Sequence, residues 1–369
     1  MGVTILHYNA VPGWRGGEQQ GLYLIKGLTE YPVTQYCMGQ PGSVFLERTA
    51  PYVTKTFPVR SRGELNPGAV HALIQIIREY KIDIVHTHTT HAHSLALQAK
   101  HLYNNFHLIA HRRVDFAVKN NPLSLYKYKS AKLDKIIAIS QFIKELLIGQ
   151  DVPESKIEVI YSGVDPQRLQ CGSSDTRARL LAEYKIDGKQ FILGNIAALT
   201  GHKDHITLIN ALSICLKKEY NCTLFILGDG NEKKNILGEI KALGVENNVI
   251  MPGFRTDLQN FIGGFDLYVH SSMDEGLGTS IIDALANRIP VVSTDAGGIP
   301  ELLGNNEFGL LVPKQNPQAL AEGIIRMLDN RALRKNYEKK ASERARQFTV
   351  EAMVEKTFQL YRKIHATAL

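Results

Sequence analysis

The sequence has few cysteines, no long apolar run and a single tryptophan. No two cysteines stand in CxxC spacing, which argues against a zinc site and predicts reduced thiols in a cytoplasmic protein; they are Cys37, Cys171, Cys215 and Cys222. No apolar run approaches the ~20 residues that span a bilayer. The segment MGVTILHYNAV leads directly into a strand pattern without the charged and apolar regions of a signal peptide. We therefore expect a cytoplasmic chain for which any membrane contact is peripheral.

Positive charge exceeds negative charge, and the excess leans toward the first half. The formal net charge is +7, and residues 1–165 hold 18 Lys and Arg against 13 Asp and Glu. An anionic partner, such as a phosphorylated acceptor or a membrane surface, would explain this excess, and so would a merely soluble basic surface. The chain has no basic stripe with interleaved stacking aromatics, which argues against nucleic acid as a partner.

Short β-branched segments alternate with amphipathic segments along the 369 residues. VTILHY (3–8) and IDIVHTH (82–88) are typical of the first half, and CTLFILGDG (222–230) and PVVSTDAGG (290–298) of the second. The alternation predicts parallel sheets with crossover helices, and the irregular stretch 166–180 predicts a linker. We expect domains over 1–170 and 171–350 followed by a helix over 351–369. Ligands should bind at the carboxyl ends of the strands, in a cleft between the halves.

Carboxylates and glycines surround a predicted helix in EGLGTSIIDALANRIPVVSTDAGGIPE (275–301). The strand before this segment should end near Ser271, and the helix should begin near Thr279 and stop before Pro290. Gly276 and Gly278 would let the backbone approach a ligand, and the first helical turn offers unpaired N–H groups to an anion. Thr279 and Asp283 are four residues apart and share a helix face. Glu275 and Asp283 should therefore meet hydroxyl groups, while the backbone N–H groups meet phosphate.

Two further loops repeat this logic at other predicted strand ends. In ALTGHKDHITLINAL (198–212), Lys203 lies just before a helix and is placed to neutralise a phosphate, although a solvated lysine is the alternative. Gly16 and Gly17 belong to a glycine loop before a helix that should begin near Glu18. They would approach a donor phosphate or an acceptor, and a plain turn is the alternative.

Four segments resemble the family 4 retaining glycosyltransferases of the GT-B fold, in that family's order. They are the 275–302 segment, GHKDHITLINAL (201–212), IAISQFIKELLIGQDVPESKIEVIYSGVD (137–165) and GWRGGEQQ (13–20). The resemblance implies an α/β protein with two Rossmann-like domains that face each other across a cleft, and a C-terminal helix that returns to the N-terminal domain. The N-terminal domain would bind the acceptor and the C-terminal domain a nucleotide-diphosphate sugar, which is a substrate. The resemblance implies no cofactor and no bound metal.

The resemblance also assigns roles to residues that match the family's motifs. Glu275 would contact the donor sugar, and Asp283, where the family usually has Glu, would contact the ribose. Lys203 would grip the pyrophosphate. Ala198 stands where an arginine commonly assists that lysine, and His202 or Arg255 could take its place. The donor site would be completed by Gly253 and Phe254 at the base and by the main-chain N–H groups of Leu277, Gly278 and Thr279 at the phosphates.

Histidines concentrate in the first half, most visibly in HTHTTHAH (86–93). His86 and His88 would share a strand face, which is compatible with two metal ligands, but their spacing matches no known zinc pattern. His111 ends the strand HLIAH (107–111), which resembles the family strand whose terminal histidine lies near the reacting sugar. We expect His111 to position or polarise the donor, with a structural histidine as the alternative, and Arg112 and Arg113 to meet an anionic acceptor or the leaving phosphate.

The predicted function is metal-independent, retaining transfer of a sugar to a saccharide or lipid-linked acceptor, as in lipopolysaccharide, capsule or glycolipid synthesis. A sugar-nucleotide epimerase of the same fold and a non-catalytic partner subunit remain alternatives. A nicotinamide dehydrogenase fits less well, because GDGNEKKN (228–235) lacks the third glycine of GxGxxG.

Overall fold

Two parallel β-sheets organise the chain, one in each half. The computed structural model describes residues 2–61, 63–113, 122–165 and 173–367, without the side chains of 122–124 and 173–175. The chain divides into unit 1, Met1–Gly163 with Val350–Leu369, and unit 2, Val164–Thr349. The predicted domain boundary at residue 170 lies outside the described residues.

Unit 1 contains a seven-stranded sheet in the order β3-β2-β1-β4-β5-β6-β7. Its strands are β1 (Val3–Asn9), β2 (Val33–Gly39), β3 (Lys55–Pro58), β4 (Ile84–Thr87), β5 (His107–Arg112), β6 (Lys135–Ala138) and β7 (Ile157–Val159). The helices among them are α1 (Gly16–Gly27), α2 (Val44–Thr49), α3 (Pro67–Glu79), α4 (Thr90–Leu102), α5 (Pro122–Lys129) and α6 (Gln141–Ile148). The central strands β1, β4 and β5 are buried along nearly all of their length, because helices cover parallel sheets on both faces.

Unit 2 contains a six-stranded sheet in the order β10-β9-β8-β11-β12-β13. Its strands are β8 (Phe191–Ile196), β9 (Cys222–Leu227), β10 (Val249–Gly253), β11 (Leu267–His270), β12 (Val291–Thr294) and β13 (Leu310–Val312). Its helices are α7 (Ser173–Glu183), α8 (His205–Lys217), α9 (Lys233–Leu243), α10 (Gln259–Ile262), α11 (Thr279–Ala286), α12 (Ile299–Leu302), α13 (Pro317–Asp329) and α14 (Arg331–Ala345). The strand order reverses between β8 and β11, and such a switch point opens a crevice at the carboxyl ends of the strands.

The last helix, α15 (Val350–His365), packs on unit 1 against α1 and β1. Its apolar side carries Phe358 and Tyr361 into a core that also contains Ile5 and Ile84. The predicted fold class is therefore confirmed: two Rossmann-like parallel sheets, and a C-terminal helix that returns to the N-terminal unit.

Candidate functional site

Glu275 and Lys203 meet in unit 2 at the switch point of the sheet. Lys203 ends a short 3-10 turn after β8, and Glu275 lies in the loop after β11. The two loops are joined by Ser271 Oγ, which donates to Lys203 O (2.9 Å), and by Met273 N–H, which donates to His202 O (2.8 Å). The Lys203 ammonium forms an ion pair with Glu275 Oε2, and the two side chains are 16% and 14% exposed. The arrangement joins the lysine and the glutamate that the sequence predicted separately.

The two oxygens of the Glu275 carboxylate have different surroundings. Oε2 accepts from Lys203, lies 3.2 Å from His270 Nε2 and accepts a longer contact from Ser272 Oγ (3.4 Å). Ser272 Oγ also lies 2.9 Å from His270 Nε2, so the three groups share one hydrogen-bond network. Oε1 has no hydrogen-bond partner among the residues that the structure describes. The protein thus fixes the carboxylate through one oxygen and leaves the other to accept from a ligand.

The Glu275 carboxylate is ionised despite its burial. Burial raises its pKa, but the Lys203 charge and the His270 hydrogen bond outweigh that effect, and the net result is a pKa well below the ordinary 4.5. Burial lowers the pKa of His270, partly offset by Glu275. A neutral His270 with its proton on Nε2 donates to Glu275 and leaves Nδ1 without a partner in the core. The carboxylate is therefore a fixed acceptor, which suits a sugar hydroxyl better than a phosphate.

The loop after Glu275 leads into α11 through a left-handed glycine. Gly278 is the N-cap residue with φ +89°, a conformation that a side chain would strain. The first helical N–H groups with carbonyl partners are those of Ile281 and Ile282, which both donate to Gly278 O. The N–H groups ahead of them, at Thr279 and its neighbours, lie at the positive end of the helix and form a potential anion site. Leu277 is buried beside them and anchors the loop.

Asp283 lies on the second turn of α11 and is half-buried, as the helical spacing predicted. Ser280, on the first turn, receives a hydrogen bond from the Tyr268 hydroxyl (2.8 Å), which also contacts Ile196 O (3.2 Å). Burial raises the pKa of Tyr268 well above its ordinary value, and Asp283 and Glu275 add to the rise. Tyr268 therefore remains a neutral hydroxyl that ties α11 to β8.

The adjacent glycines Gly297 and Gly298 of the same segment pack against the backbone of Glu275. Gly298 N–H donates to Glu275 O (2.9 Å). A Cβ on Gly297, which has φ +53°, would stand 1.9 Å from the same carbonyl oxygen. Only glycine fits there, so this pair supports the Glu275 loop from behind.

The residues predicted at the base lie at the end of β10. Gly253 ends the strand, and the Phe254 side chain is 65% exposed, which is unusual for an aromatic ring and leaves it available to a ligand. Arg255, one candidate substitute for the arginine missing at Ala198, instead forms two hydrogen bonds with Asp257 (2.8 and 2.7 Å). Its guanidinium is therefore already engaged by a carboxylate.

In unit 1, buried histidines form a hydrogen-bonded chain. His88 Nε2 lies 3.1 Å from His7 Nδ1, and His7 Nε2 lies 3.1 Å from Gln35 Oε1. Gln35 in turn donates to Ile25 O (3.1 Å). Burial lowers the pKa of His7 to about 3 and that of His88 well below its ordinary value. With both imidazoles neutral, His88 Nε2–H donates to His7 Nδ1 and His7 Nε2–H donates to Gln35 Oε1, so each hydrogen bond of the chain has one donor and one acceptor.

Three histidines of unit 1 also stand close enough to share a metal ion. Nitrogens of His7, His86 and His88 lie within 4.8 Å of one another in the described part of the chain. Sequence spacing could not show this, because His7 comes from β1 and the others from β4 and its end. Arg113 Nη2 lies 3.4 Å from His88 Nδ1, and this positive charge opposes a divalent cation. The absence of a bound metal stays a prediction.

Arg113 also orients His111 at the end of β5. Its Nη2 donates to His111 Nδ1 (3.0 Å), so a neutral His111 carries its proton on Nε2, which has no partner among the described residues. Burial, followed by the Arg113 charge, holds the pKa of His111 well below its ordinary value. His111 is thus a neutral donor. Arg112 is buried and donates to the Tyr128 hydroxyl (3.0 Å), which indicates a structural role.

The glycine loop of unit 1 becomes helical two residues earlier than predicted. Gly16 and Gly17 form the first turn of α1, where Glu18 accepts from Arg15 N–H (2.9 Å). A Cβ on Gly17 would lie 3.6 Å from Arg113 Cδ, so this turn adjoins the histidine network.

Sequence reasoning missed the residues that hold the predicted ones in place. His270 and Ser272 support Glu275, Tyr268 holds α11, and Gln35 ends the histidine chain. The polar run HSS directly before the Glu275 loop was the available signal. Gln35 lies within a strand and gave no signal.

Comparisons with protein families match both units. A model described as "Glycosyltransferase Family 4" matches residues 14–168, and one described as "Glycosyl transferases group 1" matches residues 176–344.

Individual relatives are distant but numerous. An N-acetylgalactosaminyltransferase of Campylobacter jejuni, whose name specifies an N,N'-diacetylbacillosaminyl-diphospho-undecaprenol substrate, is 30% identical over 56% of this chain. The match spans about half of that protein (53%). A glycosyltransferase structure from Rickettsia africae aligns with a TM-score of 0.88 at 23% identity and covers 100% of both chains. HepE of Anabaena, solved with UDP-glucose, aligns with a TM-score of 0.86 at 22% identity over 98% of this chain and 99% of its own. At these identities the structures show the fold alone.

Proposed function

The chain belongs to the family 4 glycosyltransferases of the GT-B fold, and from this premise we propose which reaction it performs. It transfers a sugar from a nucleotide-diphosphate sugar to a hydroxyl of a saccharide or lipid-linked acceptor. The anomeric configuration is retained and no bound metal takes part. The Campylobacter relative, which is named for a diphospho-undecaprenol substrate, supports an acceptor of the lipid-linked class.

The observation that carries the proposal is the one-sided binding of the Glu275 carboxylate. Three protein donors hold Oε2, and Oε1 is left to accept from a sugar hydroxyl. Lys203 and the first turn of α11 lie beside this acceptor on the loops that follow β8 and β11. One end of the site therefore suits a carbohydrate, and the other suits a diphosphate.

The chemistry depends on stabilising the charge that develops on the leaving diphosphate. Lys203 and the N–H groups of α11 are preorganised for that charge, which is the largest contribution in many enzymes. The bond from the anomeric carbon to the diphosphate oxygen breaks, and the bond to the acceptor oxygen forms on the same face. The acceptor proton passes to an oxygen of the leaving diphosphate, so no separate general base is required. Asp283 holds the ribose, and His111 Nε2–H positions the sugar.

The test is release of nucleoside diphosphate from UDP-glucose, UDP-N-acetylglucosamine, GDP-mannose and ADP-glucose, with and without a lipid-extract acceptor. We expect one donor to be turned over faster with acceptor, and the product to keep the anomeric configuration of the donor by NMR. Release of free sugar that is independent of acceptor would favour an epimerase, and no turnover of any donor would favour a non-catalytic subunit.

Variants of the site should then separate binding from chemistry. Glu275→Gln and Lys203→Ala are each expected to lower turnover by at least about tenfold, or about 1.4 kcal/mol on the barrier. Lys233→Ala is the matched control, because Lys233 forms a long, exposed contact with Asp229 (4.0 Å) on the same unit. Wild-type turnover in both site variants would show that the reaction takes place elsewhere.

A further inference from the structure

Three large hydrophobic side chains project from one region of unit 1. Leu65 is 84% exposed, Leu102 74% and Tyr126 51%. Exposed apolar residues that stand singly are ordinary, but a group of them marks an interaction surface. We name Leu65, Leu102 and Tyr126 the apolar cluster.

Hydrogen bonds to one turn of α4 bring the apolar cluster together. Gln98 Nε2 donates to Glu64 O (2.7 Å), which places the neighbouring Leu65 beside this helix. Gln98 and Leu102 are four residues apart and share a helix face. The Tyr126 hydroxyl lies 3.0 Å from His101 Nε2, next to Leu102, and the two rings stack. Leu65, Leu102 and Tyr126 therefore all adjoin the stretch of α4 from Gln98 to Leu102.

Positive groups border the apolar cluster. The Arg78 guanidinium lies 4.6 Å from the Tyr103 ring, directly after Leu102, and Arg78 is exposed. Arg60 is also exposed, and its carbonyl accepts from Asn66, the residue after Leu65.

Acidic groups in the same region are partly neutralised. Lys127 Nζ lies 3.8 Å from Glu64, and Lys129, one turn after Tyr126, pairs with Asp151 (3.1 Å). Arg60 and Arg78 are left to give the border a positive charge.

We propose that the apolar cluster is the surface by which the protein docks on an anionic lipid bilayer. A tyrosine and two leucines can insert between headgroups, while the arginines at the border meet anionic phosphates. The proposed contact is peripheral. No helix within the described ranges is long and apolar enough to cross a membrane. The inference rests on the proposed lipid-linked acceptor, which a docked enzyme would reach at the bilayer surface.

The shape of the apolar cluster favours a bilayer over a protein partner. Side chains that are more than half exposed project outward and do not line a groove. A stable protein interface buries about 800 Å² on each partner around a packed centre, more than three projecting side chains supply. A bilayer accepts isolated insertions, because lipid rearranges around each of them.

Co-sedimentation with vesicles tests the proposal without any sugar donor. The wild-type protein should bind vesicles of phosphatidylglycerol and phosphatidylcholine in equal parts, and more weakly as salt rises. The Leu65→Ser/Leu102→Ser variant should bind at least about tenfold more weakly, because it loses two insertions of leucine size. Leu237→Ser is the matched control: Leu237 is 48% exposed on α9 of unit 2, and its loss should leave binding unchanged.

Three outcomes would overturn the proposal. The first is no vesicle binding by the wild type, and the second is equal vesicle binding by the wild type and the double variant. The third is a wild-type dimer in sedimentation velocity that becomes a monomer in the double variant. That result would assign the surface to a second copy of the chain. Circular dichroism checks that the double variant folds. Donor release without vesicles should match the wild type. Vesicle binding without donor turnover would refute the proposed reaction and leave the docking surface standing.

Discussion

Lys203 and Glu275 should stabilise unit 2 as a coupled pair before any ligand binds. Both side chains are about 15% exposed, so the pair is neither at the surface nor fully buried. Removing one partner of a buried pair costs about 3–5 kcal/mol, and an exposed pair contributes about 0–1 kcal/mol. His270 and Ser272 still hold Glu275 when Lys203 is lost. We therefore expect Lys203→Met and Glu275→Gln each to lower the free energy of unfolding by about 2–3 kcal/mol.

A double-mutant cycle isolates the coupling. Once one partner is gone, loss of the second should cost less. The free energy of unfolding lost in the double variant should therefore be smaller than the sum of the two single losses by about 1–2 kcal/mol. Urea unfolding followed by circular dichroism at neutral pH and low salt measures each free energy. Trp14 is the single tryptophan and lies in unit 1, so its fluorescence transition serves as an internal control for effects on unit 2.

The exposed pair Lys233 and Asp229 provides the matched cycle. Their side chains are 48% and 57% exposed and 4.0 Å apart, so Lys233→Met and Asp229→Asn should couple by less than about 0.5 kcal/mol. A coupling between Lys203 and Glu275 as small as this control would refute the structural role of the pair.

The pH dependence gives the same prediction a second test. The pKa of Glu275 is lowered in the folded protein, so its stabilising effect is complete above the ordinary pKa of 4.5 and is lost as the pH falls through the folded value. The difference in stability between the wild type and Glu275→Gln should therefore narrow below about pH 4.5. A constant difference across that range would contradict the lowered pKa.

Three further substitutions test neighbouring parts of the structure. Gly297→Ala would place a Cβ 1.9 Å from the Glu275 carbonyl oxygen at a residue with φ +53°. It should lower the free energy of unfolding of unit 2, measured in urea, by at least about 1 kcal/mol. Gly238 has open space around it, so Gly238→Ala should not destabilise the unit. His270→Ala removes a hydrogen bond that lowers the pKa of Glu275, so the acid limb of the pH–rate profile for donor release should move to higher pH; an unmoved limb would limit His270 to a structural role. His111→Ala should lower kcat/KM for the donor by about tenfold, the loss expected when one sugar contact disappears, and an unchanged kcat/KM would place His111 outside the site.

The fold class could be predicted because it depends on local patterns. β-Branched segments and amphipathic segments alternate regularly, and each becomes a strand or a helix of a parallel sheet. The helix after Glu275 began at Thr279 as predicted, because Gly278 supplies its left-handed N-cap. It ends at Ala286, before Pro290 as predicted, and the chain then turns through Asn287 and Arg288.

The candidate site could be predicted only as far as single loops reveal it. Lys203 and Glu275 each follow a strand, and the carboxyl ends of parallel strands share one edge, so their proximity was a fair expectation. The direct ion pair between Lys203 and Glu275 could not be predicted, because it depends on β8 and β11 being neighbours and on the hydrogen bonds between their loops. The meeting of His7 with His88 likewise depends on the pairing of β1 with β4, which no spacing along the chain encodes.

The shared lysine suggests how the two ends of the site act together. An ammonium group has three N–H donors, and the bond to Glu275 uses one of them. Lys203 can therefore meet a diphosphate without leaving Glu275, and the carboxylate keeps its position through His270 and Ser272 while this happens. A diphosphate that engages Lys203 would draw positive charge away from Glu275 and make its Oε1 a stronger acceptor for the sugar hydroxyl. In the proposed reaction, phosphate binding and sugar binding would then reinforce each other through one side chain.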